Sequence, residues 1–184
     1  MHQPSVLILP GWQGSGPLHW QMRWVALHRD VVVEQHDWMR PLRGDWLSRL
    51  DDVLSDLESP VYLAAHSLGC IQVAAWAAVS AQCRKVKGAL LVAPGDVEAA
   101  DFADLFSSWR PIDMKRLPFK TILVGSQNDP YCTPNRAQAF ANAWGSDYVD
   151  LGHKGHVNAE SNLGDWPEGR AMLNRLMKEK EDGH

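Results

Sequence analysis

Long apolar runs are missing from this 184-residue chain. None approaches the roughly 18 residues that a membrane-spanning helix needs, and the N-terminal string MHQPSVLILPGW has too short an apolar core for a signal peptide. Cysteine is scarce: Cys70, Cys83 and Cys132 are the only three, with no C-x-x-C spacing. An odd, unpatterned set gives no sign of a disulfide framework or a zinc site and points to reduced thiols in a cytoplasm. Neither charge dominates. Lys and Arg number 18 against 22 Asp and Glu, a net charge of −4 without a basic stripe, so nucleic acid is not an expected partner. Repeats, low-complexity tracts and linkers are also missing, and residues 1–184 read as one domain able to bury a single core. With 45% hydrophobic and 22% charged residues the composition is that of a globular protein. Tryptophan is the one residue in excess, at nine.

Short apolar runs alternate with longer amphipathic ones. VLIL (6–9), VVVEQ (31–35), VYLAA (61–65), ALLVA (89–93), TILVG (121–125) and the weaker YVDLG (148–152) lack polar alternation, as strands buried on both faces do. Helices are predicted over 18–28, 44–58, 69–82, 133–144 and 168–180, the fourth opened by Thr133 as cap and Pro134 at its first position. The alternation predicts an α/β protein with a mostly parallel sheet of about six strands and helices on both faces. Residues 95–118 break the rhythm with a long acidic and aromatic connection. A helix is expected near 99–108, and the segment is a candidate lid.

In a parallel sheet, ligands bind beyond the carboxyl ends of the strands. The residues just after the runs are Gly11-Trp12, Asp37-Trp38, His66-Ser67, Asp96, Asn128-Asp129 and the histidines 153 and 156. A serine, an acid and a histidine thus meet on one edge in the order Ser67, Asp129, His156, the order used by α/β-hydrolases. The string Ala65-His66-Ser67-Leu68-Gly69 approximates G-x-S-x-G, with alanine for the first glycine. Ser67 also suits a helix cap, and Asp129-Pro130 suits a simple loop turn. Gly155 gives the following His156 freedom to fold back, which favours it over His153 as a base. HxxH spacing without an accompanying acid motif gives no metal site. PGWQGSG is glycine-rich but lacks the GxGxxG spacing of a phosphate cradle.

Together with Leu9-Pro10-Gly11-Trp12, Asp37-Trp38, Gly125-Ser126-Gln127-Asn128-Asp129-Pro130 and Gly155-His156-Val157-Asn158, these motifs make the chain resemble the small serine hydrolases grouped with retinoblastoma-binding protein 9 and the bacterial YdeN proteins. The resemblance runs from residue 6 to about 176. It implies a compact α/β-hydrolase fold without a large cap domain. It also implies a Ser67–His156–Asp129 triad and hydrolysis of carboxylic esters or related acyl compounds. An oxyanion would be held by the backbone N–H of Leu68 and of Gly11 or Trp12.

Trp12, Trp38, Trp109 and His66 are candidates to line an acyl pocket, or to pack loops onto the sheet. Trp46, Trp76 and Trp144 fall at apolar helix positions and read as core. Asp37 reads as a loop-bonding residue and Cys70 as a buried hydrophobe. The expected protein is a cofactor-free serine hydrolase of a small-molecule acyl substrate. The competing class is a catalytically silent binding module on the same fold.

Overall fold

Val, Ile and Leu in short unbroken runs suit strands covered on both faces. Four such runs, flanked by two partly exposed edge strands, form one parallel sheet in the computed structural model, which describes residues 5–58, 60–102 and 104–178. The strands are β1 (Ser5–Leu9), β2 (Val31–Val32), β3 (Val61–His66), β4 (Val86–Val92), β5 (Lys120–Gly125) and β6 (Asp147–Asp150). The helices between and after them are α1 (Trp20–His28), α2 (Arg43–Ser55), α3 (Leu68–Ala77), α4 (Pro134–Trp144) and α5 (Pro167–Lys178). The predicted residues 179–180 of the last helix lie outside the described residues. Thr133 caps α4 by accepting from the Arg136 N–H, with Pro134 opening the helix as the sequence predicts.

Sheet order is β2-β1-β3-β4-β5-β6, every pair parallel. Side chains alternate between two cores, as the two-residue period of a strand requires. Leu7, Leu9, Leu63, Ala65, Ala89, Leu91 and Leu123 face the layer that holds α2, α3 and α4. Val6, Ile8, Tyr62, Ala64, Leu90, Val92, Ile122 and Val124 face α1 and α5. Trp46, Trp76 and Trp144 are buried in the first layer, as expected. A separate cluster of Trp20, Trp24 and Trp166 fills the second.

The chain leaves β1 towards β2 on one side and returns to β3 on the other. Strand order therefore reverses between β1 and β3, the crevice where open α/β sheets bind ligands.

The helix expected near 99–108 does not form. Two 3-10 turns, Ala100–Phe102 and Ser107–Trp109, stand there instead. Tertiary contacts claim the groups a helix would use. Arg110 donates to the carbonyls of Val97 and Ala99, and the Ile112 N–H donates to Glu98. Trp109, Ile112 and Leu117 are buried in the core, and Arg136 of α4 pairs with Asp96 and Glu98. The edge strand β2 is shorter than predicted, because only Val31 and Val32 align with Leu7 and Ile8.

Candidate active site

β3 ends at His66 and α3 starts at Leu68, so one residue, Ser67, makes the turn. It does so at φ 54° and ψ −120°, a conformation rare for a residue with a side chain. So sharp a turn needs close approach of helix and strand. A Cβ at Gly69 would stand 2.3 Å from the Leu9 carbonyl oxygen, closer than any real contact, whereas Ala65 is accommodated fully buried. The second glycine of the motif is therefore obligatory and the first is not. Ser67 makes no capping hydrogen bond with its side chain, which removes the helix-cap reading.

Ser67 Oγ lies 2.9 Å from His156 Nε2 instead. His156 Nδ1 lies 3.0 Å from both Asp129 carboxylate oxygens. The His156 and Asp129 side chains are 9% and 2% exposed, so the chain of contacts is shielded from water. His153, the other histidine of this loop, is exposed. Two loops that are distant in sequence are stitched together here. Asn128 Oδ1 accepts from the Gly155 N–H, while Ser126 Oγ accepts from the Lys154 N–H and donates to the Gly152 carbonyl. Asp129 Oδ1 also accepts from the Tyr131 N–H, which fixes the carboxylate plane.

A cavity of about 320 Å³ opens over Ser67. Gly11, Trp12, His66, Leu68 and His156 line it, with Val97 and Phe106 from the 95–118 connection. A Cβ at Gly11 would fall 2.9 Å from Ser67 Cβ and 3.2 Å from the Leu68 nitrogen, so the turn after β1 presses directly on the elbow. Two of the expected pocket tryptophans stand elsewhere. Trp109 is buried, donates to the Pro41 carbonyl and packs on Trp46. Trp38 also packs on Trp46, and its carbonyl accepts from the Gln13 N–H, so it props the glycine turn from outside. Both sit outside the cavity because each ring finds an apolar partner in the α2 layer. Asp37 bonds the N–H groups of Met39 and Arg40, which hold its carboxyl below the usual range. Cys70 is buried, and burial pushes its thiol well up, so it is no nucleophile.

Tyr131 and His19, neither anticipated, also line the cavity. Tyr131 sets its ring against that of His156, at 4.6 Å between centroids. His19 caps α1 by accepting from the Gln21 N–H at Nδ1, so its proton sits on Nε2. Histidine is not a favoured cap residue, and the helix expected from residue 18 would place His19 within its first turn, so no local signal marked it. Burial pulls the His19 pKa down to about 4, with the His156 charge adding to the effect. From pH 6.5 down to about 4 the unfolded chain therefore binds a proton that the folded chain refuses. The contribution of His19 to stability is full above that window, falls through it, and is flat below; the loss is about 3 kcal/mol. His19→Asn keeps a capping oxygen and removes the titration. Urea midpoints at pH 7 and pH 4 should differ less in this variant than in the wild type, and equal differences would refute the assignment.

Among the described residues no group of three or more His, Cys, Asp or Glu is arranged to hold a metal ion. Among the same residues no helix is long and apolar enough to cross a membrane.

No protein of curated function matches the sequence. Solved structures do resemble it. A protein of Pectobacterium atrosepticum described as a YdeN-like hydrolase superposes with a TM-score of 0.83 at 29% identity, covering 95% of this chain and 90% of the other. The ydeN gene product of B. subtilis gives 0.74 at 16% identity, over 95% and 99%. A monoacylglycerol lipase of Paleococcus ferrophilus gives 0.70 at 11%, over 96% of each chain. The last two share the fold. The model of the family described as Serine hydrolase matches residues 6–175, a span that takes in the glycine turn, the elbow and both stitched loops. By that match, on this fold, the chain belongs to the serine hydrolase family, among its small YdeN-like members.

Proposed function

We propose that this protein hydrolyses carboxylic esters or related acyl compounds through an acyl-enzyme on Ser67. The observation that carries the reading is the unbroken relay Ser67 Oγ–His156–Asp129, at 2.9 and 3.0 Å. His156 Nε2 takes the Ser67 proton as Oγ attacks the substrate carbonyl, then gives it to the leaving alcohol. Water, deprotonated by the same nitrogen, then releases the acid. Asp129 keeps the proton of Nδ1 in place and stabilises the imidazolium.

The oxyanion forms between two backbone donors. The Leu68 N–H is the first of α3 and has no acceptor within its own helix. In the turn after β1, the Gln13 and Gly14 N–H groups are taken by the Trp38 and Gly11 carbonyls, so the second donor falls to Gly11 or Trp12. Such a pair gives its energy to the transition state, where negative charge appears on the oxygen. The volume of the cavity suits a small or medium acyl group. Among the described residues no Lys or Arg lines it, which favours an uncharged acyl group over an anionic one.

Labelling with a fluorophosphonate probe tests the reading. Wild type should label, while Ser67→Ala and His156→Ala should not. Among p-nitrophenyl esters, short and medium chains should be preferred to long ones. Folded wild type that stays unlabelled and turns over no ester, amide or thioester would put the binding module first.

A further inference from the structure

The loop that carries His156 has an unusual backbone. Gly155 has φ 59°, which glycine adopts freely, but Val157 follows His156 at φ 51°. A β-branched residue in that region is an outlier and persists only where its surroundings over-determine it. The surroundings here are two side chains that grip consecutive carbonyls. His66 Nε2 donates to the His156 carbonyl at 2.8 Å, and Trp20 Nε1 donates to the Val157 carbonyl at 2.9 Å. A carbonyl only accepts, so Nε2 of His66 carries the proton. Both donors are rigidly held. His66 ends β3, next to Ser67, and packs between His19, edge-on, and His156, tilted, at 4.6 and 4.8 Å between ring centroids. Trp20 opens α1 and packs against Trp24 and Trp166, at 4.7 and 5.1 Å. Val157 itself is fully buried.

We propose that His66 and Trp20 are positioning residues that clamp the His156 loop in its strained conformation, holding the base over the serine that follows His66. The inference rests on the catalytic reading of Ser67 and His156. Asp129 orients the ring of the base, and the clamp places its backbone. The ring contributes no hydrogen bond to His156 beyond those to Ser67 and Asp129, so its distance to Oγ depends on where the main chain stands. Because the residue beside the nucleophile itself holds the loop, serine and base move together. Trp20 is not part of the cavity wall; its ring meets His19 and His66, which are, and its hydrogen bond goes to the loop.

The test compares Trp20→Phe, His66→Phe and His66→Gln in the full chain. Phenylalanine keeps an aromatic ring and removes the donor, while glutamine carries an N–H at about the reach of imidazole Nε2. Measured quantities are kcat and KM for a p-nitrophenyl ester, Tm, and the downfield proton resonance of His156 Nδ1–H against Asp129. Both phenylalanine variants should lose about 10–100-fold in kcat, the scale of a small misplacement of a catalytic group, with KM within about threefold. Their downfield resonance should shift or broaden. His66→Gln should recover most of the rate and the resonance. The clamp is overturned if both phenylalanine variants keep kcat within about threefold, if glutamine does no better than phenylalanine, or if the resonance is unmoved. Should the wild type neither label nor turn over, the catalytic reading fails, and the resonance still decides whether His66 and Trp20 hold the imidazole.

Discussion

Ser67→Ala should lower kcat by about 10⁶-fold while leaving the protein folded. The size follows from what is lost: without Oγ there is no acyl-enzyme, and only the oxyanion donors and the cavity remain to favour reaction. Retention of the fold follows from the contacts of the side chain. Oγ meets His156 and caps no helix, and the turn is set by the backbone bond from the Ser67 N–H to the Val92 carbonyl. Melting temperature should therefore change by only a few degrees. The effects of Ser67 and His156 should also be non-additive. His156→Ala alone should cost a similar factor, and the double variant should be no slower than either single one, because the two residues act as one unit. Steady-state kinetics on a p-nitrophenyl ester read all three. A multiplicative double variant, or a Ser67→Ala enzyme within tenfold of wild type, would remove the acyl-enzyme mechanism.

Asp129→Asn should cost about 10⁴-fold in kcat with little change in KM. The local hydrogen bonds dictate why. Asp129 Oδ1 accepts from the Tyr131 N–H as well as facing His156. An asparagine must turn its single oxygen to that N–H, which leaves its NH₂ group facing Nδ1. Nδ1 then has to accept, the imidazole proton moves to Nε2, and a donor confronts Ser67 Oγ where a base is needed. Shape is kept and the tautomer is wrong. Fluorophosphonate labelling should slow in proportion to kcat, since both begin with the same proton transfer. A variant that labels at the wild-type rate would show that Asp129 has no part in activating the serine.

Much of this site was legible in the sequence because a parallel sheet converts order into position. Each buried strand is a contiguous apolar run, and the residue after it falls on the ligand-binding edge. That rule put Ser67, Asp129 and His156 on one edge with Asp37, Asp96 and His153, and the elbow motif, the chain order and Gly155 singled the three out. Trp46, Trp76 and Trp144 were readable as core from helical spacing. Trp38 and Trp109 were not separable from Trp12 by the same means. All three are aromatic residues in loops on one edge, and only their neighbours tell a cavity wall from a prop. The expected helix near 99–108 failed for a related reason. Its composition permits a helix, but the side chain of Arg110 and the burial of Trp109 claim the chain first.

By itself the sequence determined the layering, the parallel sheet, the elbow and the candidate residues Ser67, Asp129 and His156, since these depend on local periodicity and on residues adjacent to strand ends. Tertiary structure alone decided which aromatic rings reach the cavity, that burial lowers the pKa of both His19 and His66 in its wall, and which side chains grip the His156 loop. His66 meets the His156 carbonyl across 90 residues and Trp20 meets that of Val157 across 137. Contacts of that range leave no local pattern, and a valine at positive φ is held by its surroundings against its own preference.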